Sequence, residues 1–310
     1  MPWPAATRSG NASVVQLPPH DIPTRHNSIN HTAAGGQRAM MHFITALPAE
    51  ARPLIEHFRL RDKCTNGGFP VYRNDGMALS VSGPGKVAAA AATASLAAQD
   101  SSRATNAWLN IGIAGHATLS VGRGILVNHI SDRATGKAWY PPQLIDTNLP
   151  RGRLTTVDIP ETGYAGDSLY DMEASGFFPV ACRYSTAELV QCFKVVSDNR
   201  EQTTSGVTAQ LCERLIADQL DVIEHLVQAL AGFAEEHAAW HAPHPEQEQL
   251  TTHWHFTVAQ QHRLARLAQR WKTLLPGEPL WSKELGKLGT AGAVLLRLEQ
   301  HLDSMVVELG

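Results

Sequence analysis

The chain has few cysteines, little charge and no long apolar run, and each shortage excludes something. Its four cysteines, Cys64, Cys182, Cys192 and Cys212, include no C-x-x-C pair. In 310 residues this excludes a disulfide-stapled scaffold and reads as free thiols in a reducing, cytoplasmic setting. No stretch reaches the roughly 18 uncharged apolar residues that a membrane span requires, and residues 1–37 lack the apolar core of a secretory signal. Charged residues make up 18% of the chain, the formal net charge is -3, and there is no basic run. Nothing therefore speaks for a nucleic-acid or membrane partner. No internal repeat is present.

What is there is an ordinary globular balance, with 43% hydrophobic residues, enough for a sizeable core. Residues 1–40 are rich in Pro, Ser, Asn, His and Gly without a period, which predicts a disordered leader. Order is expected from His42. Residues 42–58 read as a short buried strand, a tight turn and a helix with Pro48 near its start. Strands follow at 71–73 and 77–82. The second runs into Gly83-Pro84-Gly85-Lys86 and an alanine-rich helix over 87–98, whose glycine-opened N-terminus exposes backbone N–H groups. Residues 107–132 read as strand, glycine turn, strand. Another strand lies near 153–157, a helix surrounds 170–182, a strand ends at Asp198, and one long amphipathic helix covers 206–233. Alternating strands and helices over 41–234 predict a three-layer α/β/α domain. From Glu235 a polar linker rich in His and Pro is expected, then a C-terminal helical extension with helices over 256–274 and 285–307.

Four stretches carry a resemblance. They are "ITALPAEARPLI" with Glu50, "SVSGPGKVAAAAAT", "NIGIAGHATLSVGRGILV", and "YDMEASGFFPVA" followed by "FKVVSDN". In this order they resemble the purine nucleoside phosphorylase/uridine phosphorylase superfamily, and within it the methylthioadenosine/S-adenosylhomocysteine nucleosidases. The resemblance covers residues 41–232. It implies a phosphorylase/hydrolase-like fold with a central mixed sheet, and cleavage of the N-glycosidic bond of a purine nucleoside of adenosine type. It implies no cofactor or metal, a homo-oligomer, and a small-molecule nucleoside as partner.

The resemblance also assigns roles. Glu173 would bind the ribose hydroxyls and stabilise the cationic sugar, with Met172 packed on the sugar face. Asp198 would be the general acid to N7 of the base, which asks for a raised pKa, and Ser197 would orient it. Glu50 would activate water. Ile113, Ala114 and Gly115 would line the pocket by close backbone approach. Lys194, standing where the nucleosidase has arginine, would keep a positive charge near the ribose. Taken singly these are bland features: a helix-start glutamate, a Ser-Asp turn after a strand, a first-turn glutamate favoured by the helix dipole. His116 reads equally as a pocket donor or a cap.

The nucleophile is water or phosphate. The turn Ala46-Leu47-Pro48 lacks the Asp and Arg of the usual phosphate loop, and Ala107-Trp108-Leu109 lacks the second Arg. This favours hydrolysis. Gly83, Gly85 and Lys86 remain an anion-binding candidate, and phosphorolysis the alternative activity. A third reading is a non-catalytic nucleoside-binding sensor or scaffold. The base-contacting segment, Glu161–Leu169, is short, so the base contacts do not carry over. Six histidines between His237 and His262 include helical i, i+4 spacing, but with no accompanying Cys or carboxylate pattern they read as solvated linker residues.

Overall fold

A computed structural model describes residues 39–99, 105–145 and 148–308. The leader expected over 1–40 lies outside the described residues up to 38. In chain order the elements are β1 (Met41–Thr45), α1 (Pro48–His57), β2 (Asp62–Asn66), β3 (Phe69–Arg73), β4 (Met77–Val81), α2 (Lys86–Gln99), β5 (Ala107–His116), β6 (Gly124–Asp132), β7 (Ala138–Trp139), β8 (Arg151–Thr156), β9 (Leu169–Asp171), α3 (Ala174–Ala181), β10 (Val190–Asp198), α4 (Ala209–Ala217), α5 (Leu220–His241), α6 (Gln247–His253), α7 (Val258–Leu274) and α8 (Ala291–Glu308). Among the described residues no helix is long and apolar enough to cross a membrane.

The sheet is mixed and closes on itself. β10 pairs in parallel with β5 and antiparallel with β6. β6 and β8, then β8 and β9, pair in parallel, and β9 returns antiparallel to β5. From this ring β1, β4, β3 and β2 extend as an open wing. β5 changes neighbour along one edge. Its start, Ala107–Asn110, pairs with β1, and its end, Gly115 and His116, pairs with β9. Between them the edge is open, and the functional cleft forms there, at a switch in strand neighbours.

Period-2 alternation explains the layers. Leu109 and Ile111 of β5 and Phe193 and Val195 of β10 join Leu54 of α1, Leu215 and Ile216 of α4, and Ile223, Leu226 and Leu230 of α5 in one core. Trp108, Ala114, Cys192 and Val196 point the other way, onto Ala89 and Leu96 of α2 and Phe177 and Ala181 of α3. Each fully buried Leu or Phe contributes roughly 1.5–3 kcal/mol. Small residues let α2 and α3 come close: a Cβ on Gly176 would lie 1.9 Å from the carbonyl oxygen of Lys86. The result is the expected three-layer α/β/α arrangement around a central mixed sheet.

Three local readings need correction. Tyr170 belongs to a short strand, and α3 begins only after Glu173, because Ala174 N–H is held by the Asp171 carboxylate at 2.9 Å. The long helix over 206–233 is broken at Asp218-Gln219, where the Gln219 amide donates to the Gly122 carbonyl at 3.1 Å. The stretch from Glu235 expected as linker continues as the end of α5 to His241. Beyond it, α6, α7 and α8 enclose their own core, including Leu250, Trp254, Leu264, Trp271, Leu295 and Leu298. Thr257 caps α7 by accepting from Gln260 N–H. α7 meets the end of α5 through Gln269 and Lys272, which donate to backbone carbonyls of Trp240 and Ala239.

Candidate active site

The open edge of β5 leaves the backbone N–H of Ile113 without a strand partner, and Glu50 takes it. Glu50 sits in the first turn of α1 and points inward, 2% exposed. One carboxylate oxygen accepts from Ile113 N–H at 2.9 Å, and the other from Ala46 and Leu47 N–H, both at 2.9 Å. Gly112 makes room for it, since a Cβ there would lie 3.0 Å from Oε1 and 3.3 Å from Lys194 Nζ. Burial raises the Glu50 pKa above the usual glutamate value, while the Lys194 charge and the three backbone donors limit the rise.

Glu173 stands at the N-cap position of α3, but its carboxylate makes no cap hydrogen bond there. It accepts from Gly85 N–H at 2.7 Å and from Met172 N–H at 3.2 Å. Burial, joined by the neighbouring Asp171 charge, pushes its carboxyl up to about 7. Asp198 ends β10 just past a bulge: Val196 pairs with Ala114, yet Asp198 pairs with the next residue, Gly115. The bulge re-aims the side chain inward. Tyr164 and Thr204 hydroxyls both donate to Oδ2, Thr204 at 3.0 Å, and the Ser197 hydroxyl donates to Oδ1. Burial, then the Asp198 carboxylate, raises the Tyr164 pKa, so the phenol stays protonated and donates.

Glu50, Glu173, Ser197 and Asp198 line one cleft of about 240 Å³, together with Ala46, Leu47, Pro84, Ile113, Ala114, Gly115, Val157, Tyr170, Met172 and Thr204, while Tyr164 is buried behind Asp198. Glu50, Glu173 and Asp198 thus come together from α1, the start of α3 and the end of β10. Lys194 does not line the cleft. It is 1% exposed and lies beneath it, paired with Asp171 at 2.9 Å. Asp171 is further held by Thr156 Oγ1 at 2.8 Å and Ala174 N–H. Burial opposes the Lys194 charge, but Asp171, Glu173 and Glu50 outweigh it and raise its pKa.

The anion candidate is used up internally. Gly83 N–H donates to the Ala46 carbonyl at 3.0 Å and Gly85 N–H to Glu173, while Lys86 Nζ meets Asp132 and Asp158, each at 2.9 Å. His116 turns away from the cleft. Its Nδ1 accepts from Thr118 and Leu119 N–H at 3.1 and 3.0 Å, which leaves Nε2 as the protonated nitrogen facing Asp167 at 3.3 Å. Sequence reasoning missed Asp171, Tyr164 and Thr204. A lysine inside the apolar strand VQCFKVV signals a buried carboxylate partner, which would have found Asp171.

The arrangement compares with solved structures. The 5'-methylthioadenosine/S-adenosylhomocysteine nucleosidase of Helicobacter pylori, bound to butyl-thio-DADMe-Immucillin-A, aligns with 62% of this chain and 99% of its own, at TM-score 0.52 and 14% identity. The 5'-methylthioadenosine nucleosidase of Arabidopsis thaliana, in its apo form, aligns with 63% of this chain and 97% of its own, at TM-score 0.52 and 17% identity. The chain has the fold of these nucleosidases. No protein-family model and no curated protein sequence matches it. The nucleosidase fold therefore shows at a level of identity where the architecture is shared and the residue roles rest on the cleft itself.

Proposed function

We propose that the protein hydrolyses the N-glycosidic bond of a purine nucleoside. The observation that carries this reading is the meeting of Glu50, Glu173 and Asp198 on one cleft in a nucleosidase fold. Breaking C1′–N9 sends the bond's electron pair to the base and leaves positive charge on the ribose. Asp198 supplies the proton to the departing purine at N7. Glu173 holds the ribose hydroxyls and stabilises the cationic sugar. Glu50, held rigid by three backbone N–H donors, takes a proton from the water that bonds to C1′. The products are free base and free sugar. Met172 packs on the sugar, and Ile113–Gly115 let the substrate approach the backbone.

Water is the nucleophile favoured by the donors around the cleft. Gly83, Gly85 and Lys86, the residues that could have held phosphate, are committed to protein acceptors. The residues lining the cleft all fall between Ala46 and Thr204. The test is adenine release from 5'-methylthioadenosine, 5'-deoxyadenosine and adenosine with and without phosphate. Release that is independent of phosphate supports the reading. Strict phosphate dependence turns it into phosphorolysis, and tight binding without release turns it into a sensor.

A further inference from the structure

Glu173 occupies a position whose side chain normally does a different job. The N-cap side chain of a helix accepts from the exposed N–H groups of the first turn. Glu173 is the N-cap residue of α3, yet none of those N–H groups reaches its carboxylate. Asp171 accepts from Ala174 N–H at 2.9 Å, and Thr156 Oγ1 accepts from Ser175 N–H at 3.0 Å. Gly176 N–H turns back to the Glu173 carbonyl at 2.9 Å. The cap is thus supplied from β8 and β9, by two residues that lie side by side in the sheet.

The Glu173 carboxylate is left to other partners. Oε1 accepts from Gly85 N–H at 2.7 Å, just before the start of α2, and Oε2 from Met172 N–H at 3.2 Å. An ionised carboxylate offers about four acceptor positions, two per oxygen. One therefore remains on each oxygen, which is the pattern that two neighbouring hydroxyls need. Asp171 can hold the cap because it is itself held. Thr156 Oγ1 donates to its Oδ1 at 2.8 Å, and Lys194 Nζ meets its Oδ2 at 2.9 Å. The side chains of Asp171 and Lys194 are 0% and 1% exposed, so neither turns to solvent instead.

We propose that Asp171 is a positioning residue for sugar binding: by taking over the N-cap of α3, it frees the Glu173 carboxylate to read the ribose hydroxyls. Lys194 supports it by neutralising the Asp171 charge, which would otherwise repel Glu173. Without an acceptor at position 171, Ala174 N–H and the Thr156 hydroxyl lose their partner. The Glu173 carboxylate, one residue from Ala174, is then drawn onto the helix end, where the dipole favours a negative charge. It no longer offers both oxygens to the sugar. This inference rests on the nucleoside reading above and deepens its ribose contact.

The experiment compares two double variants that both remove the buried ion pair, Asp171→Asn/Lys194→Met and Asp171→Leu/Lys194→Met. Neither strands a buried charge, and they differ in whether residue 171 still accepts from Ala174 N–H. The readout is KM for the 2′-deoxy analogue of 5'-methylthioadenosine divided by KM for 5'-methylthioadenosine itself. A hydrogen bond to a charged group is worth about tenfold to a hundredfold, so wild type favours the ribonucleoside by that factor. The asparagine variant keeps this ratio within about threefold of wild type. In the leucine variant the ratio falls toward one. A merely structural loss would raise both KM values together and leave the ratio where it was. Thr156→Val removes the acceptor of Ser175 N–H and a donor to Asp171 while keeping the ion pair. It lowers the ratio too, and it carries the test should the leucine variant not fold. A ratio unmoved in whichever of these two variants folds, or lost equally in the asparagine variant, overturns the inference while leaving hydrolysis intact. A wild type that neither binds nor cleaves any nucleoside overturns the nucleoside reading, and this inference with it.

Discussion

Replacing Glu50 by glutamine separates its structural task from its chemical one. The carboxylate accepts three backbone N–H groups at 2.9 Å, two on one oxygen and one on the other. A glutamine has one carbonyl oxygen with two lone pairs. Placed toward Ala46 and Leu47 it keeps both of those bonds. Its NH₂ then faces the Ile113 N–H, a donor against a donor in a buried site. Leaving that N–H unsatisfied costs about 1–3 kcal/mol. Part of this is offset, because a neutral amide no longer bears the burial penalty that raises the Glu50 pKa. The fold therefore survives. The chemistry does not, because an amide cannot take the proton of the attacking water. General-base catalysis supplies about 10²–10⁴-fold, so kcat for adenine release from 5'-methylthioadenosine falls by that factor while KM changes little, Glu173 still holding the ribose. Initial rates by chromatography, with urea unfolding on the same preparation, measure both effects. A folded Glu50→Gln protein with kcat within about threefold of wild type would refute the role given to Glu50.

Three further outcomes are expected. Lys194→Met leaves the Asp171 charge buried and unpaired, which costs about 3–5 kcal/mol; urea unfolding checks this, and a loss under about 1 kcal/mol contradicts the buried pair. Glu173 titrates in the folded state at about 7, above its ordinary 4.5. Its contribution is fully present below the unfolded pKa and is lost as pH rises through the folded one. Wild type therefore loses more stability between pH 5 and pH 8 than Glu173→Gln does, and denaturation curves at the two pH values compare the slopes. Gly115→Ala places a Cβ 2.7 Å from Asp198 Oδ2 and 2.9 Å from the Tyr164 ring. It should displace Asp198, lowering kcat/KM by about 10²-fold or more, since a misplacement near 1 Å costs that much; unchanged kinetics would mean that Asp198 does not act from this position.

Local signals were enough for much of the architecture. Buried strands such as β5 and β10 announce themselves by apolar runs, and α2 by alanines after a glycine turn. Strand β2, Asp62–Asn66, escaped because its side chains are exposed or only partly covered and it has no apolar face to show. Closure of the sheet could not be read locally, since it depends on β9, three residues long, joining β8 to β5 across the chain. The placement of Lys194 follows from strand parity. It shares a face with Cys192 and Val196, which pack toward α3, and so it is buried with Asp171 rather than presented to the sugar. The surroundings of Asp198 were the least accessible part. Tyr164 reaches it from a short irregular loop in a left-handed conformation, which no periodicity marks.

The nature of the nucleophile is tested most directly by the mass of the sugar product. With 5'-methylthioadenosine as substrate and phosphate present in excess, the account predicts free methylthioribose and adenine in equal amounts, at a rate unchanged by phosphate. A sugar 1-phosphate as the product would contradict it.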